Sequence, residues 1–256
     1  MTRAALVMAG TSGLGRGSAE ALARSGHRVA ICARRADRVD ETVAALQALG
    51  SDAIGVVADV SKAGDIERLF AATDEHFGRL DVLVTNAGGP APGGLLGLSD
   101  ELWSAAFELT LMSAVRAIRS AIPRMQREGF GRIVVLGSSS VRQPIENLVL
   151  SNAFRPAVLG LVKSVATEVA PLGITVNMVS PGRVDTERVR QLDEGRAKAA
   201  GLTYAELRAS AEKGIPAGRY GTTAEVGALV AFLASEPAAY LTGQSILVDG
   251  GMVRAL

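Results

Sequence analysis

The stretch Ala9-Gly10-Thr11-Ser12-Gly13-Leu14-Gly15 follows the first short apolar run of the chain, residues 5–8, and precedes an amphipathic stretch, residues 16–24. In a strand–loop–helix unit, glycines at such a loop let backbone N–H groups approach a pyrophosphate at the helix N-terminus. The loop therefore predicts a dinucleotide site at the start of an α/β fold.

The rest of the chain repeats this alternation of strand and helix. Short runs rich in Val, Ile and Leu are typical of strands buried on both faces, and we predict seven of them, at residues 5–8, 28–32, 53–57, 82–85, 132–136, 174–179 and 245–248. Amphipathic stretches between them predict helices at 16–24, 38–49, 63–77, 100–127, 152–170 and 224–233. Such alternation implies right-handed crossovers. The predicted fold class is α/β, a three-layer αβα sandwich with a doubly wound, Rossmann-type parallel sheet of seven strands in a single domain, 1–256.

Composition excludes several classes of function. The 256 residues carry 27 Lys and Arg against 26 Asp and Glu, so no basic field attracts nucleic acid. One cysteine and two histidines cannot build a disulfide framework or an ordinary zinc site. The N-terminal run is too short for a signal peptide or a membrane span. We therefore expect a cytoplasmic protein with no metal, no nucleic-acid partner and no membrane partner.

Two other segments give local expectations. Ser99 is a candidate N-cap for the longest predicted helix, and Gly129 a candidate for its end. The polar segment 184–217 carries Gly195, Gly201 and Gly214. It is interpreted either as a mobile lid over a substrate site or as an ordinary surface excursion.

The end of the second predicted strand indicates which dinucleotide is bound. An acidic residue that would hold an adenosine ribose 2′-hydroxyl is absent there, and Arg34 and Arg35 stand in its place. Guanidinium groups pair well with phosphate. The sequence thus favours NADP(H) over NAD(H).

Further motifs follow the other predicted strands. They are Asp59-Val60, Thr85-Asn86-Ala87-Gly88, Asn177-Met178-Val179-Ser180-Pro181-Gly182 and Asp249-Gly250-Gly251. With the glycine loop, they make residues 4–251 resemble the short-chain dehydrogenases/reductases, and most closely their 3-oxoacyl-[acyl-carrier-protein] reductase-like branch.

The resemblance implies a role for each motif. Asp59 and Val60 would contact the adenine, and Asn86, Ala87 and Gly88 would line the adenosine ribose. The nicotinamide amide would be held by the segment that contains Pro181, Gly182, Val184 and Thr186. The resemblance also implies a homotetramer or dimer, built by the helices from Asp100 and Asn152 and the C-terminal strand. Ala9 replaces the first glycine of the family, and we expect Gly10 beside it to relieve the crowding.

The catalytic positions depart from the family, whose members use a Ser, a Tyr and a Lys four residues after the Tyr, assisted by an Asn. Ser138 matches the serine, but Ser151 stands at the tyrosine position and Arg155 at the lysine position. Thr110 stands where the asparagine would be. The alkyl alcohol of Ser151 is far less acidic than the phenol of a tyrosine, and Arg155 stays protonated. Neither Ser151 nor Arg155 therefore inherits the proton transfer of the tyrosine and lysine. We expect Pro156 to bend the turn that stacks positions 151 and 155.

Three functions remain open at this stage. The first is an NADP(H)-dependent oxidoreductase with a rebuilt site, in which Ser138 and Ser151 bind the substrate oxygen and Arg155 anchors an anion or the cofactor ribose. Tyr204, in the segment 184–217, is either a proton donor that swings into this site or, as is more common for such a tyrosine, a packing residue. The second is a nucleotide-binding regulatory or scaffold subunit with little turnover. The third is a nucleotide-assisted elimination or isomerisation in which Arg155 stabilises an oxyanion. The composition of segment 184–217 hints at a small polar or anionic substrate, and Arg142 is either a further anion contact or a solvated loop residue.

Overall fold

The computed structural model describes residues 2–255. Its strands are β1 (Ala4–Val7), β2 (Arg28–Ala33), β3 (Ala53–Val57), β4 (Val82–Thr85), β5 (Gly131–Leu136), β6 (Ile174–Pro181) and β7 (Ser245–Val248). They form one parallel sheet in the order β3-β2-β1-β4-β5-β6-β7. The predicted doubly wound sheet of seven strands is therefore confirmed.

Helices cover both faces of this sheet. They are α1 (Gly13–Arg24), α2 (Ala36–Ala48), α3 (Ala63–Phe77), α4 (Asp100–Ala106), α5 (Ser113–Glu128), α6 (Val149–Val169), α7 (Glu187–Ala200), α8 (Tyr204–Lys213) and α9 (Thr223–Leu233). One core packs α3, α5 and α6 against the sheet through residues such as Phe70, Ile118 and Val158. The other packs α1, α2 and α9 through Leu22, Leu46 and Val230. This is the predicted three-layer sandwich.

The order in which strands are added to the sheet reverses between β1 and β4. The first three strands run outward to one edge, and β4 returns to the other side of β1. The loops that leave β1 and β4 at their carboxyl ends therefore separate and leave a crevice, which is where open α/β sheets bind ligands. The fold places the glycine loop and Asn86 on the two sides of this crevice.

The prediction that every strand is buried on both faces is wrong for the two edge strands, β3 and β7. The side chains of β3 alternate between buried and accessible, and all four residues of β7 are partly accessible. An edge strand has a neighbour on one side only and receives less helical cover. The inner strands β1, β4, β5 and β6 are buried along their whole length, as expected.

The predicted helix over 100–127 is interrupted. Residues Phe107–Met112 form a π-helical segment between α4 and α5, and such insertions are frequent at functional sites. Ser99 occupies the N-cap position without a side-chain cap bond, and Gly129 ends α5 in the left-handed conformation at φ +60°. Pro156 does not end α6, which continues through it to Val169.

The polar segment 184–217 contains two helices that the sequence analysis did not predict. Thr186 caps α7 by accepting a hydrogen bond from the Val189 N–H, and Gly201 ends that helix. Thr203 and Glu206 form a reciprocal capping box at the start of α8. The capping residues are visible in the sequence, but the segment lacks a clear apolar periodicity, so the caps alone did not predict helices.

Candidate active site

A cleft of about 270 Å³ opens at the carboxyl ends of the central strands. The structure brings twelve of the predicted site residues together in its lining: Ser12, Gly13, Leu14, Asn86, Ala87, Gly88, Ser138, Ser151, Arg155, Pro181, Gly182 and Thr186. These residues come from five separate stretches of the chain. One cleft holds both the glycine loop and the predicted catalytic residues Ser138, Ser151 and Arg155. A dinucleotide bound at the glycine loop can therefore extend to these three residues.

The glycine loop is shaped by close backbone packing. A Cβ on Gly15 would lie 2.3 Å from the Ala9 carbonyl oxygen and 2.6 Å from Asn86 Nδ2, so only glycine fits there. Asn86 Nδ2 donates to the same Ala9 carbonyl at 3.2 Å and ties the loop to β4. Gly13 has φ +50°, a conformation that favours glycine.

Ala9, not Gly10, carries the strain of this turn. Ala9 has φ +46°, in the left-handed region, whereas Gly10 does not have a positive φ. The expectation that Gly10 relieves the crowding is therefore wrong. Gly10 is required for another reason, since a Cβ there would lie 2.9 Å from Cγ2 of Ile31.

The start of α1 leaves donors available for an anion. Ser12 is the N-cap residue, and its side chain makes no capping hydrogen bond. The first N–H groups of a helix have no partner within the helix, and they carry its positive dipole end. The free donors beside Gly13 fit the pyrophosphate of a dinucleotide.

The adenosine end of the predicted site lies outside the cleft, where β2 and β3 end. Arg34 and Arg35 are both exposed there. Arg35 is engaged by Asp37, to which its Nε donates at 3.1 Å. Arg34 makes no ion pair with any residue in 2–255, so of the two arginines it has the less engaged guanidinium for the predicted 2′-phosphate contact.

Asp59 lies next to this pair of arginines. Burial works to raise the pKa of Asp59, but hydrogen bonds from Ser61 and the charges of Arg34 and Lys62 outweigh it, and the net pKa is lowered. Its Oδ1 accepts from Ser61 N at 3.0 Å and from Ser61 Oγ at 2.8 Å. Asp59 is thus a carboxylate held in place at the position where an adenine contact is predicted.

Three further predicted residues support the site from below the cleft surface. Val60 is 6% exposed and belongs to the core of α3 and α5. Val184 is 2% exposed and pairs as an isolated bridge with Gly221. Thr11 is partly buried beside the cleft. The side chains of Val60 and Val184 therefore position backbone and do not enter the cleft.

The predicted catalytic residues Ser138, Ser151 and Arg155 meet at the end of β5. Ser138 Oγ accepts a hydrogen bond from Ser140 N at 3.1 Å, which leaves its own proton free to donate. Ser151, in the first turn of α6, is 9% exposed and lines the same cleft. One turn later, Arg155 Nη1 donates to the Leu136 carbonyl at 2.7 Å. The turn of α6 therefore does stack positions 151 and 155.

Arg155 is an unusual charge for this position. Its Nε is buried without a hydrogen-bond partner, and it forms no ion pair within residues 2–255. Burial lowers the pKa of Arg155 to about 10. The group remains cationic near neutral pH, and it stands ready to interact with an anion or with hydroxyl groups.

Thr110 lies beside this site but not in the cleft lining. It is 4% exposed within the π-helical segment, and its Oγ1 is buried without a partner in the described part of the chain. A buried hydroxyl without a partner costs free energy and often marks a water or functional contact.

The N-terminal half of helix α7 lines the cleft. Its N-cap Thr186 lies against the glycine loop, since a Cβ on Gly13 would be 3.4 Å from Thr186 Cγ2. Arg188 Nη2 donates to the Pro90 carbonyl at 2.8 Å, and Arg196 Nη2 donates to the Glu146 carbonyl at 3.3 Å. The helix is thus fastened to loops on the opposite side.

Several lining residues were missed by the sequence analysis. They are Glu187, Arg188, Val189 and Leu192 on α7, with Pro90 and Leu148 opposite. Val189 and Leu192 have the i, i+3 spacing of one helical face. That spacing is the feature of the sequence from which an apolar helical face at this site could have been predicted.

Two other candidates lie away from the cleft. Tyr204 does not line it, and its hydroxyl accepts from Arg208 Nη1 at 3.2 Å. Arg142 is exposed in the loop after Ser138 and is not part of the lining either. Within residues 2–255, the structure contains no cluster of three metal-binding side chains and no helix able to cross a membrane.

Comparison with known proteins agrees with this geometry. The family model described as Enoyl-(Acyl carrier protein) reductase matches residues 8–253. The 3-oxoacyl-[acyl-carrier-protein] reductase MabA of Mycobacterium bovis is 37% identical over 256 residues, which cover 98% of this chain and 93% of that protein.

Two solved structures share the whole fold. YwfH, an NADPH-dependent reductase involved in bacilysin biosynthesis, superposes with a TM-score of 0.95 at 30% identity and covers 100% of both chains. A variant of actinorhodin polyketide ketoreductase with NADPH also has a TM-score of 0.95, at 35% identity, and covers 98% of this chain and 97% of its own. The present chain belongs to the short-chain dehydrogenase/reductase family.

Proposed function

We propose that this protein is an NADP(H)-dependent oxidoreductase that reduces a carbonyl group, or oxidises the corresponding alcohol, through a non-standard site. The observation that carries the proposal is the single cleft shared by the glycine loop, Ser138, Ser151 and Arg155. The NADPH named for YwfH and for actinorhodin ketoreductase supports the choice of cofactor. Arg34, exposed and without an ion-pair partner in residues 2–255, supports the same choice.

NADPH supplies a hydride when bound, and the chain has to orient the substrate oxygen and stabilise its developing charge. The free proton of Ser138 can donate to that oxygen, because Ser140 N already occupies its acceptor side. Arg155 adds a fixed positive charge in a partly buried site, where electrostatic stabilisation is stronger than in water. Ser151 adds a second hydroxyl, through a water where the reach is too long.

The cleft offers little acid–base chemistry. The ionisable side chains in its described lining are Arg155, Glu187 and Arg188, with no tyrosine, histidine or lysine among them. Loss of a positioned general acid costs a factor of about 100 to 10,000 in rate. This observation favours a second candidate function, a nucleotide-binding regulatory subunit with little turnover.

We further propose that α7 and α8 act as the lid of the site and that the protein is a homo-oligomer. Helix α7 lines the cleft and is bonded to the loops opposite through Arg188 and Arg196, which donate to backbone carbonyls. For the oligomer, Leu95, Leu96 and Phe107 are exposed close to α4, and Trp103 packs edge-on against Phe154 at 5.7 Å between centroids. Such an apolar surface is typical of an interface.

The test of function compares cofactor binding with hydride transfer. NADPH is titrated by calorimetry, and its oxidation is followed on ketones, acyl thioesters and keto acids, for the wild type and for the double variant Ser151→Tyr/Arg155→Lys. Turnover by the wild type that the double variant loses supports the proposal. Tight NADPH binding without turnover in the wild type, with activity gained by the double variant, overturns it in favour of the regulatory subunit.

A further inference from the structure

Arg188 is a guanidinium group in the cleft that no carboxylate neutralises. It is partly buried and forms no ion pair within residues 2–255. Its hydrogen bond goes from Nη2 to the Pro90 carbonyl, a neutral acceptor. A carboxylate or phosphate oxygen would be a stronger acceptor for this donor than a carbonyl is.

Arg188 lies on the side of the cleft where Ser151 is found. Pro90 belongs to the loop that leaves β4, and Gly93 of this loop pairs with Leu148 at the entry to α6. The Gly93 N–H donates to the Asn147 carbonyl at 2.8 Å, and the Val149 N–H donates to the Gly93 carbonyl at 3.3 Å. These bonds join the acceptor of Arg188 to the first turn of α6, which carries Ser151.

The charges around the cleft are unequal. Arg155 and Arg188 face it without ionic partners, and Glu187 is the carboxylate in the described lining. Glu187 is exposed, and its Oε1 accepts from Gln191 Nε2 on the same helix at 3.4 Å. Arg155 is fixed at the end of β5 by the Leu136 carbonyl, so Arg188 is the cation on the α7 side of the cleft.

Apolar side chains complete this end of the cleft. Leu148 and Leu192 line it, together with Val189 one residue after Arg188. An apolar wall with a few convergent polar groups is typical of a small-molecule site in which the polar groups set orientation. Apolar neighbours lower the local dielectric around the guanidinium, which strengthens its attraction for an anion.

We propose that Arg188 is the specificity-determining residue for a substrate that carries an anionic group, a carboxylate or a phosphate, near its reacting carbonyl. The anionic group takes the place of the Pro90 carbonyl as the acceptor of Arg188, while the reacting oxygen lies at Ser138 and Ser151. This inference rests on the proposed oxidoreductase function, because it assigns the substrate of that same site.

The test uses pairs of compounds that differ in charge. NADPH oxidation is measured with acetoacetate against ethyl acetoacetate, and with dihydroxyacetone phosphate against dihydroxyacetone. The variant Arg188→Gln keeps a donor for Pro90 but removes the charge. We expect it to lower the ratio of kcat/KM for the anionic over the neutral compound by about 10- to 100-fold. Arg188→Lys should restore part of the ratio, and the pair that responds identifies the anion as carboxylate or phosphate.

The control is Arg190→Gln on the same helix. Arg190 is exposed, stacks on Tyr204 and lies outside the cleft, so the ratio should not change. A purely structural role of Arg188 would reduce both members of a pair equally and leave the ratio unchanged, which overturns the proposal. A matching loss of NADPH affinity in Arg188→Gln also overturns it, because Arg188 would then serve the cofactor.

A second readout does not depend on turnover. Acetoacetate and dihydroxyacetone phosphate are titrated by calorimetry into protein saturated with NADP⁺, for the wild type and for Arg188→Gln. Binding that requires Arg188, in a protein that reduces nothing, supports the anion site while the proposed reduction fails. Failure of both anions to bind the wild type, in a protein that reduces neutral ketones, sinks the anion site and leaves the oxidoreductase proposal standing.

Discussion

Arg155 donates from Nη1 to the backbone carbonyl of Leu136 at 2.7 Å, and no carboxylate within residues 2–255 forms an ion pair with it. The bond fixes the positive charge of Arg155 at the end of β5, because Leu136 is the last residue of that strand and lies two residues before Ser138. Burial disfavours the charged form of Arg155 and lowers its pKa to about 10, so we expect the folded protein to hold this charge at a cost. A charge kept in such a place is expected to serve a ligand.

Replacing Arg155 by Met should therefore stabilise the ligand-free protein and weaken its response to NADPH. Removal of a partly buried charge without an ion-pair partner in residues 2–255 outweighs the loss of one hydrogen bond, and we expect Tm to rise by about 2 to 6 °C. The gain in Tm on adding NADPH should shrink. Differential scanning fluorimetry with and without NADPH measures both, with the exposed Arg142→Met as the control. A fall in the ligand-free Tm would contradict the prediction.

Arg34 and Arg35 should contribute unequally to the choice between NADPH and NADH. Asp37 already engages Arg35, whereas Arg34 forms no ion pair at contact distance within residues 2–255 and interacts with Asp59 through its charge alone. Arg34→Ala should raise the Kd for NADPH about tenfold and leave the Kd for NADH within about twofold, since a charge-assisted hydrogen bond to the 2′-phosphate is lost. Arg35→Ala, the matched control, should have a smaller effect. Calorimetric titration decides, and equal losses would refute the assignment.

Ala9→Gly should stabilise the protein. The left-handed φ of +46° at Ala9 costs a residue with a Cβ about 1 to 2 kcal/mol, of which the extra freedom of glycine in the unfolded chain offsets a part. We expect a net gain of about 0.5 to 1 kcal/mol in the free energy of unfolding. Urea denaturation measures it. Ala30→Gly, in β2 without a positive φ, should instead be destabilising, and a similar loss at Ala9 would show that the turn is not strained.

The anchoring of helix α7, and with it the stability of the protein, should depend on Asp193. This carboxylate is 1% exposed and accepts from Arg183 Nη1 at 2.6 Å and from Tyr220 Oη at 2.7 Å. Asp193→Ala removes both bonds and leaves Arg183 without this partner. It should cost about 2 to 4 kcal/mol.

The conservative change Tyr220→Phe removes one donor and should cost about 1 kcal/mol. Desolvation is the main cause that raises the pKa of Tyr220 to about 12, so its hydroxyl stays protonated at working pH. Chemical denaturation gives the two losses. Amide hydrogen exchange should show faster exchange in Glu187–Ala200 for Asp193→Ala, and unchanged exchange there would mean that Asp193 does not anchor α7.

His27 should make the protein less stable in mild acid. Burial lowers the pKa of His27 below its ordinary value, and a hydrogen bond to the Leu22 carbonyl opposes this only in part. Below about pH 6.5, the unfolded chain binds a proton that the folded chain resists, so stability rises with pH through this window and falls on acidification.

The slope from this one group is at most about 1.4 kcal/mol per pH unit. His27→Asn, which can retain a donor for Leu22, should flatten the stability profile between about pH 7.5 and about pH 5.5 relative to the wild type. Urea unfolding across that range makes the comparison, since the carboxylates are common to both proteins. Parallel profiles would show that His27 does not resist protonation.

Periodicity and loop chemistry determined most of the fold in advance. The strands β3, β4 and β7 and the helix α3 begin and end at the predicted residues, because short apolar runs and helical spacing depend on local sequence. The π-helical segment Phe107–Met112 could not be predicted, since the spacing of apolar residues across it looks like one continuous helix. Helices α7 and α8 were missed because their polar composition outweighed their caps.

The same division holds for the site. The sequence by itself determined the glycine loop, the arginines that favour NADP(H), and the absence of tyrosine and lysine at positions 151 and 155, since these depend on residue identity and spacing. Only the tertiary structure decided that Ala9 carries the strained turn, that Asp37 engages Arg35 but not Arg34, and that Arg188 enters the cleft. Backbone conformation and side-chain pairing depend on which distant segments meet, and the winding of the sheet sets those meetings.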